Sequence, residues 1–84
     1  MEMIVFGMHG CKDCDFQRNL MDEKIPQYKY KFVDIESEDI EDVILMSKYN
    51  FDTIPTIVIE KNGVIFLHEG KLASHKILDV IEGT

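Results

Sequence analysis

The chain has no tryptophan, only two prolines and two cysteines, and fewer basic than acidic residues. Each scarcity excludes something. The two cysteines, Cys11 and Cys14, would close too short a loop to constrain an unfolded chain, so they do not suit a disulfide-stapled secreted mini-domain. Nine Lys and Arg against sixteen Asp and Glu leave a formal net charge of −7, with no basic block to neutralise phosphates. Nucleic acid is not an expected partner. No stretch reaches the roughly 18 apolar residues of a membrane helix, so no membrane partner is expected. The N-terminus also lacks a basic region followed by an apolar run and a small-residue cleavage site, which makes the cytoplasm the expected location. No repeat, linker or low-complexity segment interrupts the order of elements.

What is present is an ordinary globular composition, 45% hydrophobic and 30% charged over 84 residues. That length has room for one domain, residues 1–84, which is expected to act as a monomer. Glu2 to Phe6 is an apolar run ending at Gly7 and suits a buried central strand. From Cys11 to Lys24, Phe16, Leu20 and Met21 recur at helical spacing, with Asp13 and Asp15 in the first turn, before Pro26 breaks the pattern. Tyr28 to Ile35 alternates lysines with aromatics, and Lys29 and Lys31 mark a protected sheet edge.

Ser37 is positioned to cap a second helix, with Ile40, Val43 and Ile44 as its apolar stripe and an end near Tyr49-Asn50. Thr56 to Glu60 and Val64 to His68 then flank Asn62-Gly63, a strong hairpin signal because both turn residues must take positive φ. After Gly70, Ser74 is positioned to cap a last helix carrying Ile77, Leu78 and Ile81. The predicted order is β-α-β-α-β-β-α. Its first two strands should be parallel and the hairpin antiparallel, giving an α/β fold with a mixed four-stranded sheet flanked by three helices.

A Cys-x-x-Cys at the junction of a buried strand and a helix has a chemical purpose. Free backbone N–H groups and the helix dipole stabilise a thiolate there, and Cys11 holds that position. Its sulfur can attack a substrate disulfide, while Cys14, about one turn further in, is placed to resolve the mixed disulfide. His9 and Lys12 would favour the thiolate as nearby positive charges, and Asp13 would oppose it. The bland alternatives are two buried small hydrophobes for the cysteines and a solvated loop side chain for His9. Thr53-Ile54-Pro55 is the second candidate element, because a proline entering an apolar strand marks an edge or a turn, and a cis bond is one way to make that turn.

The Cys11-Lys12-Asp13-Cys14 helix start, Thr53-Ile54-Pro55 before a strand, the hairpin, and Gly70 before the last helix together resemble glutaredoxins and the smallest thioredoxin-like proteins. The likeness spans essentially the whole chain. It implies a thioredoxin fold and a thiol-disulfide oxidoreductase with Cys11 and Cys14 catalytic. It also implies a cis-proline at Pro55 packed against the cysteines, and an Ile54 main chain that pairs with a bound thiol peptide. Thr53, Lys12 and Gly70 join the candidate substrate site. Lys12-Asp13 replaces the Pro-Tyr usual in glutaredoxins, and Gly70 is followed by Lys71-Leu72-Ala73-Ser74 where that family has a second glycine and then an acidic residue. The partners implied are a disulfide-containing protein or a glutathione mixed disulfide, with glutathione or a reductase as electron donor. No tightly bound cofactor is implied; glutathione is the candidate co-substrate.

The rival reading is a soft-metal carrier. Gly7-Met8-His9-Gly10-Cys11-Lys12-Asp13-Cys14 is similar to the Gly-Met-x-Cys-x-x-Cys loop of heavy-metal-associated domains with one residue inserted, and two thiolates suit Cu(I) or Zn. Those domains place a hairpin straight after the first helix, where this chain predicts a helix instead. A closed zinc site needs four ligands, and two cysteines with scattered His9, His68 and His75 do not offer it, so no metal residues are assigned.

Overall fold

Met3 to Gly7 are buried without alternation along β1 (Glu2–Gly7), as expected of a strand with a neighbour on each edge and a layer on each face. The computed structural model describes residues 1–83. After β1 the chain forms α1 (Lys12–Lys24), β2 (Lys31–Asp34), α2 (Ile40–Lys48), β3 (Thr56–Lys61), β4 (Val64–Glu69) and α3 (Ser74–Glu82). The four strands lie in the order β2-β1-β3-β4. β1 runs parallel to β2 and antiparallel to β3, and β3 runs antiparallel to β4.

The sheet separates two apolar layers. Met3, Val5, Ile57 and Ile59 meet Met21 of α1 and Ile77 and Ile81 of α3. Ile4, Phe6, Val33 and Val58 form the other layer with Tyr49, and Leu45 and Met46 of α2 pack against it. Residues alternate between these layers along each strand, because successive strand side chains point to opposite faces. Asn62 and Gly63 turn the β3–β4 hairpin with φ of 54° and 79°, the left-handed values that such a turn requires.

Several expectations need correction. The strand expected from Tyr28 to Ile35 is only Lys31–Asp34. Tyr28 and Tyr30 lie before it, anchored through their hydroxyls to Glu82 and Asp22. β2 is an edge strand, and Lys31 reaches Asp42 of α2 at 3.3 Å. Ser37 does not cap α2. Asp39 does, its Oδ1 accepting from the Glu41 N–H at 2.9 Å, while the Ser37 hydroxyl accepts from the Asp39 N–H and donates to Asp42. Ile40, Val43 and Ile44 are exposed, because α2 turns the opposite stripe, with Leu45 and Met46, toward the sheet.

α3 likewise begins without a side-chain cap. Ala73 holds the N-cap position and Ser74 is the first helical residue. In α1 the inward stripe is Cys14, Gln17 and Met21, and Phe16 is 56% exposed. Among the described residues no helix is long and apolar enough to cross a membrane.

Candidate active site

Gly7 ends β1, and its carbonyl accepts from the Ile35 N–H at 2.9 Å, so the chain is still held to the β2 side when it leaves the sheet. Met8, His9 and Gly10 make the short turn to Cys11, which caps α1. The cap is chemical as well as geometric. Cys11 has extended backbone angles, its carbonyl takes the Asp15 N–H at 3.0 Å, and its Sγ accepts from the Cys14 N–H at 3.2 Å. A sulfur in this place meets one of the unpaired donors of a helix start and the positive end of the helix dipole.

The two sulfurs are within disulfide distance, with Cα atoms 5.2 Å apart. Their surroundings differ. Cys14 is wholly buried, whereas Cys11 is partly exposed at the helix end. Gly7 lies against the buried member: a Cβ added there would stand 3.0 Å from Cys14 Sγ and 3.0 Å from a ring carbon of Phe32. A bare glycine lets the strand end pass this close to Cys14 without crowding it; any side chain would force Cys14 or Phe32 to give way.

The second half of the site reaches the same place through sheet register. Phe6 is the last β1 partner of β3, opposite Thr56, so Gly7 and Pro55, the next residues outward on the two antiparallel strands, leave the sheet at the same end. Pro55 is buried and its bond to Ile54 is cis. Its carbonyl accepts from the Gly70 N–H at 2.7 Å, which carries the hairpin pairing past the end of β4. Ile54 is half-buried and Thr53 exposed.

Glu69 holds this segment from outside. One carboxylate oxygen, Oε1, accepts from the Asp52 N–H at 2.6 Å, the Thr53 N–H at 3.0 Å and the Thr53 hydroxyl at 3.1 Å. The Asp52 N–H and then the Thr53 N–H hold the Glu69 carboxyl below its ordinary pKa, since each stabilises the anion. The Thr56 hydroxyl closes the same turn by donating to the Thr53 carbonyl.

Of the residues singled out from sequence, Cys11, Lys12 and Cys14 fall at the start of α1, Thr53, Ile54 and Pro55 on the approach to β3, and Gly70 just after β4; Gly7 packs on Cys14, and Gly70 bonds Pro55. Lys12 opens α1 and is exposed. Asp13, between the cysteines, reaches Lys71 of the β4–α3 turn at 3.6 Å, and Lys71 also lies over the Phe16 ring. His9 points elsewhere: its ring is 3.7 Å from Asp34 and tilts against Phe32, with its side chain 74% exposed.

Sequence reasoning passed over Gly7, Gln17 and Glu69 as site residues. Gln17 is wholly buried and bonds the main chain of Leu72. Its signal was available, because it stands on the stripe of Cys14 and Met21 where an apolar residue is the norm. Glu69 gave no such signal, since a carboxylate at a strand end reads as ordinary solvated surface.

No family model matches the chain, and no curated protein matches it. Among solved structures, 27 chains do. One is a chloroplastic thioredoxin z, 19% identical, with a TM-score of 0.65 over 96% of this chain and 74% of that one. Another is a malarial protein, 20% identical, with a TM-score of 0.70 over 96% of this chain and 92% of that one. At such identities the likeness speaks for the fold, and with the β2-β1-β3-β4 sheet and three helices this chain has a thioredoxin-like fold.

Proposed function

We propose that this protein is a thiol-disulfide oxidoreductase of glutaredoxin type that reduces protein or glutathione mixed disulfides. The observation that carries this reading is the asymmetry of the thiol pair: Cys11 partly exposed at the start of α1 with an N–H aimed at its sulfur, and Cys14 buried within disulfide reach. In the reduced protein the Cys11 thiolate attacks one sulfur of a substrate disulfide, and the other substrate sulfur leaves as a thiolate that takes up a proton. Cys14, deprotonated, then attacks Cys11 Sγ of the mixed disulfide. The second substrate thiol is released and a Cys11–Cys14 disulfide remains. Two electrons pass to the substrate, and two equivalents of glutathione, or a reductase, return them to the protein.

Ile54 and Pro55 support the substrate side of the reading. The β1–β3 ladder runs to Phe6 and Thr56, so Pro55 leaves the sheet at the same end as Gly7, whose backbone packs on Cys14, and Gly70 bonds the Pro55 carbonyl. In this reading an extended peptide laid along Ile54, with Thr53, Lys12 and Gly70 completing the substrate site, would bring its own sulfur to Cys11. The protein would work as a cytoplasmic monomer without a tightly bound cofactor, glutathione being a co-substrate, and without nucleic acid or membrane as partner.

The test pairs two variants with a choice of donor. Cys11→Ser should abolish turnover, and Cys14→Ser should accumulate a mixed disulfide with substrate. If Cys14→Ser traps nothing while Cys11→Ser stays active, the roles are wrong. Rapid reduction of the oxidised protein by glutathione supports the glutaredoxin type, and reduction only by a thioredoxin reductase supports the thioredoxin type. Stoichiometric copper or zinc in the purified protein without redox cycling would replace the reading with that of a soft-metal carrier.

A further inference from the structure

Glu69 belongs to neither half of the thiol chemistry, yet it is the residue to which the approach to Pro55 is tied. Asp52 and Thr53 are exposed and belong to no strand or helix. Left to themselves, their N–H groups would bond water and the segment would sample many conformations. A single oxygen of Glu69 gathers both N–H groups and the Thr53 hydroxyl at 2.6 to 3.1 Å. Such a contact is charge-assisted and outweighs a neutral one. The next residue after Glu69, Gly70, donates to the Pro55 carbonyl, so two consecutive residues at the end of β4 grip both ends of the stretch that contains Ile54.

We propose that Glu69 is a positioning residue: its carboxylate fixes the 52–55 segment so that the Ile54 main chain is already in place when an extended substrate arrives. This rests on the oxidoreductase reading above. Preorganisation of this kind acts on the substrate complex and not on the sulfur itself, since Glu69 makes its bonds to the substrate-side loop and none to either cysteine. Removing the carboxylate should therefore weaken the handling of a peptide disulfide and leave a small reagent's access to Cys11 alone. Glutamine keeps an oxygen in the same place and can accept from the same three donors, without the charge.

The experiment compares wild type, Glu69→Ala and Glu69→Gln. KM and kcat are measured for reduction of a synthetic peptide disulfide, together with the rate of Cys11 alkylation by iodoacetamide and amide hydrogen exchange at Asp52 and Thr53. Glu69→Ala should raise KM about tenfold, speed exchange at both amides and leave alkylation unchanged. Glu69→Gln should return KM to within about threefold of wild type. An unchanged KM in Glu69→Ala, an alkylation rate that falls in step with turnover, or a glutamine variant no better than alanine would each overturn the role while the oxidoreductase reading stands. A wild-type protein that does not reduce the peptide would overturn that reading and this role with it, even where exchange at Asp52 and Thr53 still quickens in the alanine variant.

Discussion

Gln17 and Leu72 exchange two hydrogen bonds across 55 residues of chain: the amide Nε2 of Gln17 donates to the Leu72 carbonyl at 3.0 Å, and the Leu72 N–H donates to Gln17 Oε1 at 2.8 Å. The pair is buried and joins the helix that carries the thiols to the turn that follows Gly70. A side-chain amide is the group suited to this, because it presents a donor and an acceptor side by side, as a neighbouring strand would. Gln17→Leu keeps the volume and removes both partners from two buried main-chain groups, each worth about 1 to 3 kcal/mol when left unsatisfied. The expected loss of stability is about 2 to 6 kcal/mol, read from the urea midpoint. A midpoint unchanged from wild type would show that the turn finds other partners.

Gly7→Ala tests the close approach of the strand end to the thiols. The new methyl would meet both Cys14 Sγ and a ring carbon of Phe32 at 3.0 Å, so at least one must shift by a few tenths of an ångström. Phe32 is itself held from above by the Arg18 guanidinium, 4.1 Å from the ring centroid, which leaves little room to yield. Overpacking at such a site costs about 1 to 3 kcal/mol, and thermal unfolding should register it as a lower Tm. A Tm equal to that of wild type would show that Cys14 and Phe32 are less constrained than their packing indicates.

Tyr30 predicts an alkaline limit. Burial first, and then its hydrogen bond to Asp22, push its phenol up to about 12 from 10.0, with Arg18 acting the other way. The folded state thus favours the protonated phenol. Its contribution to stability is whole below the ordinary value and is lost as pH rises through about 12. Urea midpoints should fall across that interval, and Tyr30→Phe should flatten the fall, since it removes the titrating group. An equally steep fall in Tyr30→Phe would assign the alkaline transition to other residues.

The parts of this molecule legible in the sequence are those with a local cause. The unbroken apolar run of Met3 to Phe6 marked the central strand, Asn62-Gly63 marked the hairpin, and the spacing of Cys11 and Cys14 at a strand-to-helix junction marked the candidate site. Cap residues were harder. Ser37 and Asp39 are both good caps two positions apart, and Ser37 lost the helix start by bonding Asp42 and the Asp39 N–H instead. On α2 both stripes are apolar, so periodicity alone could not say whether Ile40, Val43 and Ile44 or Leu45 and Met46 would face the sheet. On α1 Phe16 stands at helical spacing with Leu20 and Met21 but is exposed, and the polar Gln17 takes the inward place because Leu72 offers partners for it.

Residues a few positions apart interact in almost any conformation of the chain, and so the order of strands and helices and the pairing of one thiol with a helix start follow from the letters alone. Contacts between distant segments have no such guarantee. That Gly7 packs bare against Cys14, that Pro55 leaves the sheet at the same end as Gly7, that Glu69 ties the 52–53 segment to the end of β4, and that Gln17 ties α1 to the turn after Gly70 are consequences of strand register and helix docking. These came into being only when two apolar layers closed on the sheet, because burial sets which polar groups need partners and which strand ends come near enough to supply them.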